Sequence, residues 1–101
     1  MTRRYLAVLA LSILLTGGSA PRPIIVASKP FGESYLLAEM FAQLLEARGF
    51  PVERKLGLGA TELAFQALRT GAIDLYPEYT GTGLTAILHE PPRPDPREAF
   101  N

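Results

Sequence analysis

Residues 24–49 carry the sequence IIVASKPFGESYLLAEMFAQLLEARG, and this stretch decides the fold class. Its first four residues, Ile24–Ala27, are an unbroken apolar run rich in β-branched side chains, which is typical of a strand buried on both faces. From 33 to 48 the large apolar residues recur at intervals of three and four, which predicts an amphipathic helix. Gly49 follows directly after this stretch, at the position where a glycine commonly ends a helix. We expect the helix to bury Leu37, Met40, Phe41, Leu44 and Leu45.

The next part of the chain repeats this pattern. Residues 51–58 alternate loosely and predict a second, more exposed strand. Gly59–Glu62 form a turn into a second helix, for which Thr61 suits the N-cap and Gly71 the C-terminal stop. We expect the buried face of this helix to consist of Leu63, Ala64, Ala67 and Leu68.

A third strand is predicted at Ile73–Tyr76, ended by Pro77, which cannot donate to a ladder. A short apolar helix through Leu84 and Leu88 follows, and Asp95-Pro96 has the composition of a helix start. The order is strand, helix, strand, helix, strand, with short connections. It predicts an α/β fold, the βαβαβ portion of a parallel sheet.

Composition excludes several function classes. The 101 residues have 48% hydrophobic and 20% charged side chains, a formal net charge of zero, no Cys and one His. The balanced charge gives no electrostatic footprint for nucleic acid. Without Cys there is no disulfide or cysteine-based metal site, and with His89 alone a zinc site is not expected. We predict no cofactor.

Residues 1–20 have the organisation of a secretory signal peptide. Arg3 and Arg4 precede an apolar run over 5–15, and small residues follow up to Ala20. The run is shorter than the roughly 20 residues of a membrane-spanning helix. We expect cleavage after Ala20 or Gly18. Since no Cys is available for lipid attachment, we expect a free periplasmic protein.

Three loops follow the predicted strands, at the edge where parallel α/β sheets bind ligands. Lys29 lies in the first loop and is either a solvated surface lysine or an anion-binding residue. Tyr79 either packs at the domain edge or offers its ring to a ligand cation. Thr82 is a candidate helix N-cap with a possible second role in binding. Asp74 and Glu78 resemble paired carboxylates, although Asp74 is better explained as an exposed charge. We find no nucleophile, base or metal constellation, so we do not expect an enzyme.

Three segments resemble the glycine betaine/choline-binding proteins of ABC importers: Ser28–Glu33, Leu58–Glu62 and Ile73–Thr82. The resemblance implies a lobe of a periplasmic substrate-binding protein of the type II class. It also implies a quaternary-ammonium ligand such as glycine betaine or choline, and a transmembrane permease as partner. We expect residues 21–101 to be a truncated N-terminal part of the binding domain, because the chain stops just after a helix begins.

The resemblance also implies roles for particular residues. Lys29 and Thr82 would hold a ligand carboxylate, and Tyr79 would form one wall of a cation box; we place Phe31 and Glu62 at the same site. The chain departs from the family pattern where Asn, Thr and Gln are usual, at Pro30, Gly32 and Ser34. These departures leave the choice of ligand open. Two alternatives also stay open: an exported α/β enzyme or ligand-sensing domain that uses the same cleft, and a non-functional gene fragment.

Overall fold

The computed structural model describes residues 21–100, so the predicted signal peptide at 1–20 lies outside the described residues. The regular elements are β1 (Ile24–Ala27), α1 (Gly32–Ala47), β2 (Val52–Lys55), α2 (Thr61–Thr70) and α3 (Thr80–Thr82). A wider π-type turn continues α3 over Gly83–Ile87, and a 3-10 turn spans Pro96–Phe100. Strands and helices alternate, which confirms the α/β class. No helix in the described range has both the length and the apolar character needed to cross a membrane.

The sheet is parallel, with β1 in the middle. Ile24 is opposite Val52, and the pairing continues to the other end of both strands. On the other side of β1 the predicted third strand is reduced to a single bridge between Val26 and Leu75. The amide of Ala27 donates to the Leu75 carbonyl at 2.9 Å. The next donor of a parallel ladder would be the amide of residue 77, and Pro77 has none, so the strand stops there.

Helix α1 packs on the sheet through small side chains, and the predicted buried face is wrong. Its buried residues are Ser34, Ala38 and Ala42, of which the two alanines join Val26 in the hydrophobic core. Leu37 and Leu45 are half-buried, whereas Phe41 is exposed, and Met40 and Leu44 are 50% and 54% exposed. Small residues let the helix approach the strands closely, and this turns the larger side chains towards the edges and outer face of the helix.

Helix α2 shows the same difference from the prediction. Ala64 is fully buried and Ala67 is half-buried, but Leu63 and Leu68 are exposed. The predicted glycine stops are confirmed for both long helices. Gly49 and Gly71 adopt φ values of +86° and +79°, the left-handed conformation that glycine takes without steric cost.

Candidate functional site

The loop after β1 organises the carboxyl edge of the sheet. The side chain of Ser28 accepts a hydrogen bond from the amide of Gly57 at 2.8 Å, and its carbonyl accepts one from Leu58 at 2.9 Å. These bonds fix the loop after β2 beside the loop after β1. The Lys29 amide donates to the hydroxyl of Ser34 at 2.9 Å, so the start of α1 is tied to the same loop.

Lys29 is buried within this edge, with 8% of its surface exposed. Its ammonium group lies 2.8 Å from Oε1 of Glu78 and 3.1 Å from the hydroxyl of Thr61. It also lies 5.5 Å from the centre of the Phe31 ring. The interpretation of Lys29 as a solvated surface lysine is therefore wrong. Since an ammonium has three N–H donors, two are engaged here and one is left for a further acceptor.

Glu78 connects the ion pair to the aromatic part of the site. Its Oε1 atom also accepts the backbone N–H of Tyr79 at 3.0 Å. Its Oε2 atom is buried, and no donor in the part of the chain that the structure describes lies in full hydrogen-bond geometry with it. Burial raises the pKa of Tyr76 to about 12, and the charge of Glu78 and hydrogen bonding to its carboxylate add to the effect. The Tyr76 phenol is therefore neutral at physiological pH.

Phe31 and Tyr79 form a stacked pair, with ring centroids 6.2 Å apart and planes inclined by 17°. Both rings remain partly open to solvent, at 38% and 46% exposure. They border a small depression of about 30 Å³ that Ser34, Leu37, Pro77 and Glu78 also line. This space has room for one or two water molecules. The carboxylate of Glu33, placed to accept from the Tyr79 hydroxyl, raises the pKa of Tyr79, and burial adds to the effect.

A second, wider depression lies on the other side of Phe31. It is lined by Lys29, Pro30, Phe31, Ala60 and Thr61, and its volume is about 220 Å³. Phe31 therefore lines both depressions, and each depression is also lined by one member of the Lys29–Glu78 pair. An ion pair and two partly exposed rings thus share one sheet edge, an arrangement suited to a small molecule that carries both charges.

The other two predicted site residues, Glu62 and Thr82, line neither of the two depressions. Glu62 is exposed in the first turn of α2 and makes no ion pair among the described residues. Thr82 is half-buried inside α3, which begins at Thr80 with Tyr79 as its N-cap, so the N-cap role of Thr82 is wrong. The cap predicted at Thr61 is likewise wrong. Ala60 is the N-cap of α2, and the Thr61 hydroxyl accepts from Lys29 instead.

The carboxylates of Asp74 and Glu78 contact different groups and do not form a pair. Oδ2 of Asp74 accepts the backbone N–H of Ile25 at 2.8 Å, and its Oδ1 pairs with Arg22 at 3.2 Å. These contacts, the backbone hydrogen bond first, lower the pKa of Asp74. Asp74 therefore fastens the third segment to β1, whereas Glu78 faces Lys29. Within residues 21–100 no three His, Cys, Asp or Glu side chains form a metal-binding group.

Sequence reasoning missed Glu78 and Thr61 as partners of Lys29. A signal for Glu78 was present, because a lysine directly after a strand buried on both faces needs a nearby acceptor. Glu78 occupies the corresponding position after the third segment, and parallel strands bring such positions to one edge. The choice of Thr61 as an acceptor had no comparable signal. It depends on where α2 begins relative to the sheet.

The sequence matches a known protein family and several of its members. Residues 22–98 match the family described as the substrate-binding domain of the ABC-type glycine betaine transport system. The glycine betaine-binding protein YehZ of Escherichia coli is 42% identical over 64 residues, 63% of this chain. The ergothioneine transport permease/ergothioneine binding protein EgtU of Helicobacter pylori is 41% identical over 71 residues, 69% of this chain. A glycine-betaine-binding protein of Pseudomonas aeruginosa is 33% identical over 86 residues, 85% of this chain.

The fold of the chain also matches that of a solved structure from this family. Apo YehZ from E. coli superimposes with a TM-score of 0.64 at 38% identity, covering 69% of this chain and 25% of YehZ. The matched regions are 13%, 21% and 27% of the lengths of EgtU, YehZ and the P. aeruginosa protein, so the chain spans at most about a quarter of these relatives. The family match nevertheless covers most of the chain, from Arg22 to Glu98. The chain belongs to the family of substrate-binding domains of ABC-type glycine betaine transport systems.

Proposed function

We propose that this protein is a solute-binding component of an ABC importer and that residues 21–101 form part of its ligand-binding domain. The observation that carries the proposal is the pair of stacked, half-open rings of Phe31 and Tyr79 beside the buried Lys29. Aromatic faces attract quaternary ammonium groups, and the attraction grows when the contact is shielded from water. The remaining N–H of Lys29 is available to a carboxylate.

The ligand class that this arrangement favours is a betaine, a molecule with a trimethylammonium group and a carboxylate. The names of the similar proteins refer to glycine betaine and to ergothioneine, and both compounds have these two groups. In the proposed complex the methylated cation lies against the rings and the carboxylate faces Lys29. Choline has the cation without the carboxylate, so we expect choline to be the weaker ligand.

The mode of action follows from the size of the site. The two depressions are shallow, and one wall of a cation box is formed by two rings. We propose that a second surface, from the part of the domain that longer relatives contain, closes over the ligand and excludes water. The closed form then docks on a transmembrane permease. Export by the segment 1–20 would put the protein in the periplasm, where it binds and releases its ligand without chemical change.

A segment exchange tests this proposal. Residues 22–98 replace the matching segment of E. coli YehZ, and calorimetric titration compares the exchanged protein with YehZ itself. We expect binding of glycine betaine or ergothioneine, weaker binding of choline and none of glycine. The 101-residue chain alone should bind with millimolar affinity at best. A folded exchanged protein that binds neither betaine would contradict the proposed function, and micromolar binding by the chain alone would contradict the need for a second surface.

A further inference from the structure

Glu78 has a buried carboxylate oxygen whose hydrogen bonding is incomplete within the described residues. One of its carboxylate oxygens pairs with Lys29 and also accepts the Tyr79 amide. The other oxygen is buried, and although the Tyr76 phenol is near this carboxylate, no donor among residues 21–100 lies in full hydrogen-bond geometry with it. A buried carboxylate oxygen without a donor is costly, and such a group in a native protein calls for an explanation. Its position is informative, since Glu78 lines the depression next to both rings.

The two residues of the ion pair line different depressions. Lys29 lines the wider depression together with Thr61, to which its ammonium donates. The free oxygen of Glu78 belongs to the residue that lines the smaller depression with Tyr79. Both side chains are largely buried, with 10% and 14% of the Lys29 and Glu78 side chains exposed. Water screens their fields less than it screens those of surface charges.

We propose that Glu78 is a specificity-determining residue that makes the site select zwitterions. The dipole of the Lys29–Glu78 pair then aligns antiparallel to that of the ligand. The ligand cation lies towards Glu78 and the rings, and the ligand carboxylate lies towards Lys29. This inference rests on the proposed betaine-binding function and extends it. It assigns the rejection of simple anions to Glu78 and the discrimination against simple cations to Lys29.

Substitutions of Glu78 and Lys29 should change the ligand preference in opposite directions. Glu78→Gln leaves a net positive site, so a simple cation loses more affinity than a zwitterion does. Lys29→Met leaves a net negative site, so the zwitterion loses its carboxylate contact while a simple cation is retained. We expect the ratio of glycine betaine to choline affinity to rise about tenfold in Glu78→Gln and to fall about tenfold in Lys29→Met, the scale of one buried charge contact.

Ligand binding to the full chain is measured by NMR titration. In parallel, binding to the YehZ protein that carries residues 22–98 of this chain is measured by calorimetry. The probes are glycine betaine, choline and acetate. Glu53→Gln is the matched control, because Glu53 is exposed on β2 and makes no ion pair among the described residues. Equal weakening of glycine betaine and choline by Glu78→Gln, with folding intact and the control unchanged, would overturn the role of Glu78. If the unsubstituted exchanged protein binds no betaine, the proposed function fails instead.

Loss of one partner of a buried pair can prevent folding, so two further measurements are included. The double variant Lys29→Met/Glu78→Gln removes both charges, and we expect it to bind glycine betaine and choline with nearly equal, weak affinity. In the unsubstituted protein, the Lys29 Nζ resonance should shift with glycine betaine but not with choline or acetate, and acetate should shift it only in Glu78→Gln. An Nζ resonance that responds equally to all three probes would contradict the proposal without any substitution.

Discussion

The ring of Tyr79 stacks on the ring of Phe31, with 6.2 Å between their centroids, although the two residues follow different strands of the sheet. The pairing depends on Leu75, whose carbonyl accepts the Ala27 amide and so aligns the third segment with β1. An aromatic pair exists at this edge only because both segments end at the same level of a parallel sheet.

Removing one ring of this pair should weaken a betaine ligand. In the YehZ protein that carries residues 22–98 of this chain, Tyr79→Ala is expected to cost about 1–2 kcal/mol of binding free energy. This is the scale of a desolvated cation–π contact. Tyr79→Phe keeps the ring and removes only the hydroxyl that faces Glu33, so it should bind nearly as the parent does. Calorimetric titration measures both. Equal losses in the two variants would assign the effect to the hydroxyl rather than to the ring.

The contact between α1 and the sheet should be intolerant of larger side chains. Ala42 is fully buried, so Ala42→Leu is expected to destabilise the protein by about 1–3 kcal/mol through overpacking. Leu44 is half-exposed on the same helix, so Leu44→Ala should change the free energy of unfolding by about 0.5 kcal/mol or less. Urea unfolding followed by circular dichroism compares them. A loss of unfolding free energy well above about 0.5 kcal/mol for Leu44→Ala would mean that another surface covers Leu44.

Gly57 should not tolerate a side chain. Its φ is +69°, and a Cβ atom there would lie 2.6 Å from the Tyr35 hydroxyl. We expect Gly57→Ala to destabilise the protein by about 1 kcal/mol or more, because the backbone is left-handed and Tyr35 must move. Gly32→Ala is the control, since a Cβ at Gly32 meets no atom within 4 Å. Thermal unfolding should show a lower Tm for the first variant alone.

Stability should fall in acid because of the charges around Arg54. This side chain lies between Glu39, at 2.8 Å, and Glu46, and hydrogen bonding to Arg54 lowers the pKa of Glu39 to about 2. A carboxyl with a lowered folded-state pKa stabilises the fold above its ordinary value near 4.5. That stabilisation is lost as the pH falls from about 5 to about 2.

Arg54→Met provides the comparison for this pH dependence. Without the guanidinium, the Glu39 pKa should return towards its ordinary value and the pH dependence of unfolding between about 5 and 2 should flatten. Because the three side chains are partly exposed, added salt should also reduce the difference between the two proteins. Denaturant titrations at several pH values check both effects. Parallel pH profiles would contradict the assigned pKa.

The N-terminal segment gives a prediction that concerns processing. The sequence of residues 1–20 predicts removal during export, with a new N-terminus at Ser19 or Pro21. N-terminal sequencing of protein from the periplasmic fraction identifies the cut. Replacing Leu11 and Leu14 by Asp interrupts the apolar run and should retain uncleaved protein in the cytoplasm. Exported protein that still begins at Met1 would rule out a cleaved signal.

Sequence alone determined the first four elements and their order, strand, helix, strand and helix, because these depend on local patterns. The β-branched run at 24–27, the three-and-four spacing over 33–48 and the glycines at 49 and 71 each specify a strand, a helix or a stop without reference to the rest of the chain. The same reasoning placed Lys29 and Tyr79 at one edge of the sheet, since parallel strands bring their carboxyl ends together.

Only the tertiary structure decided which faces are buried and which charges meet. Periodicity marks an apolar stripe, but the stripe of Ala38 and Ala42 lies against the sheet because close packing favours small residues there. The pairing of Lys29 with Glu78 and Thr61 depends on distances of about 3 Å between three separate loops, which no local pattern encodes. The sequence thus indicated a candidate site at this edge of the sheet, and packing determined that its lysine is half of a buried ion pair.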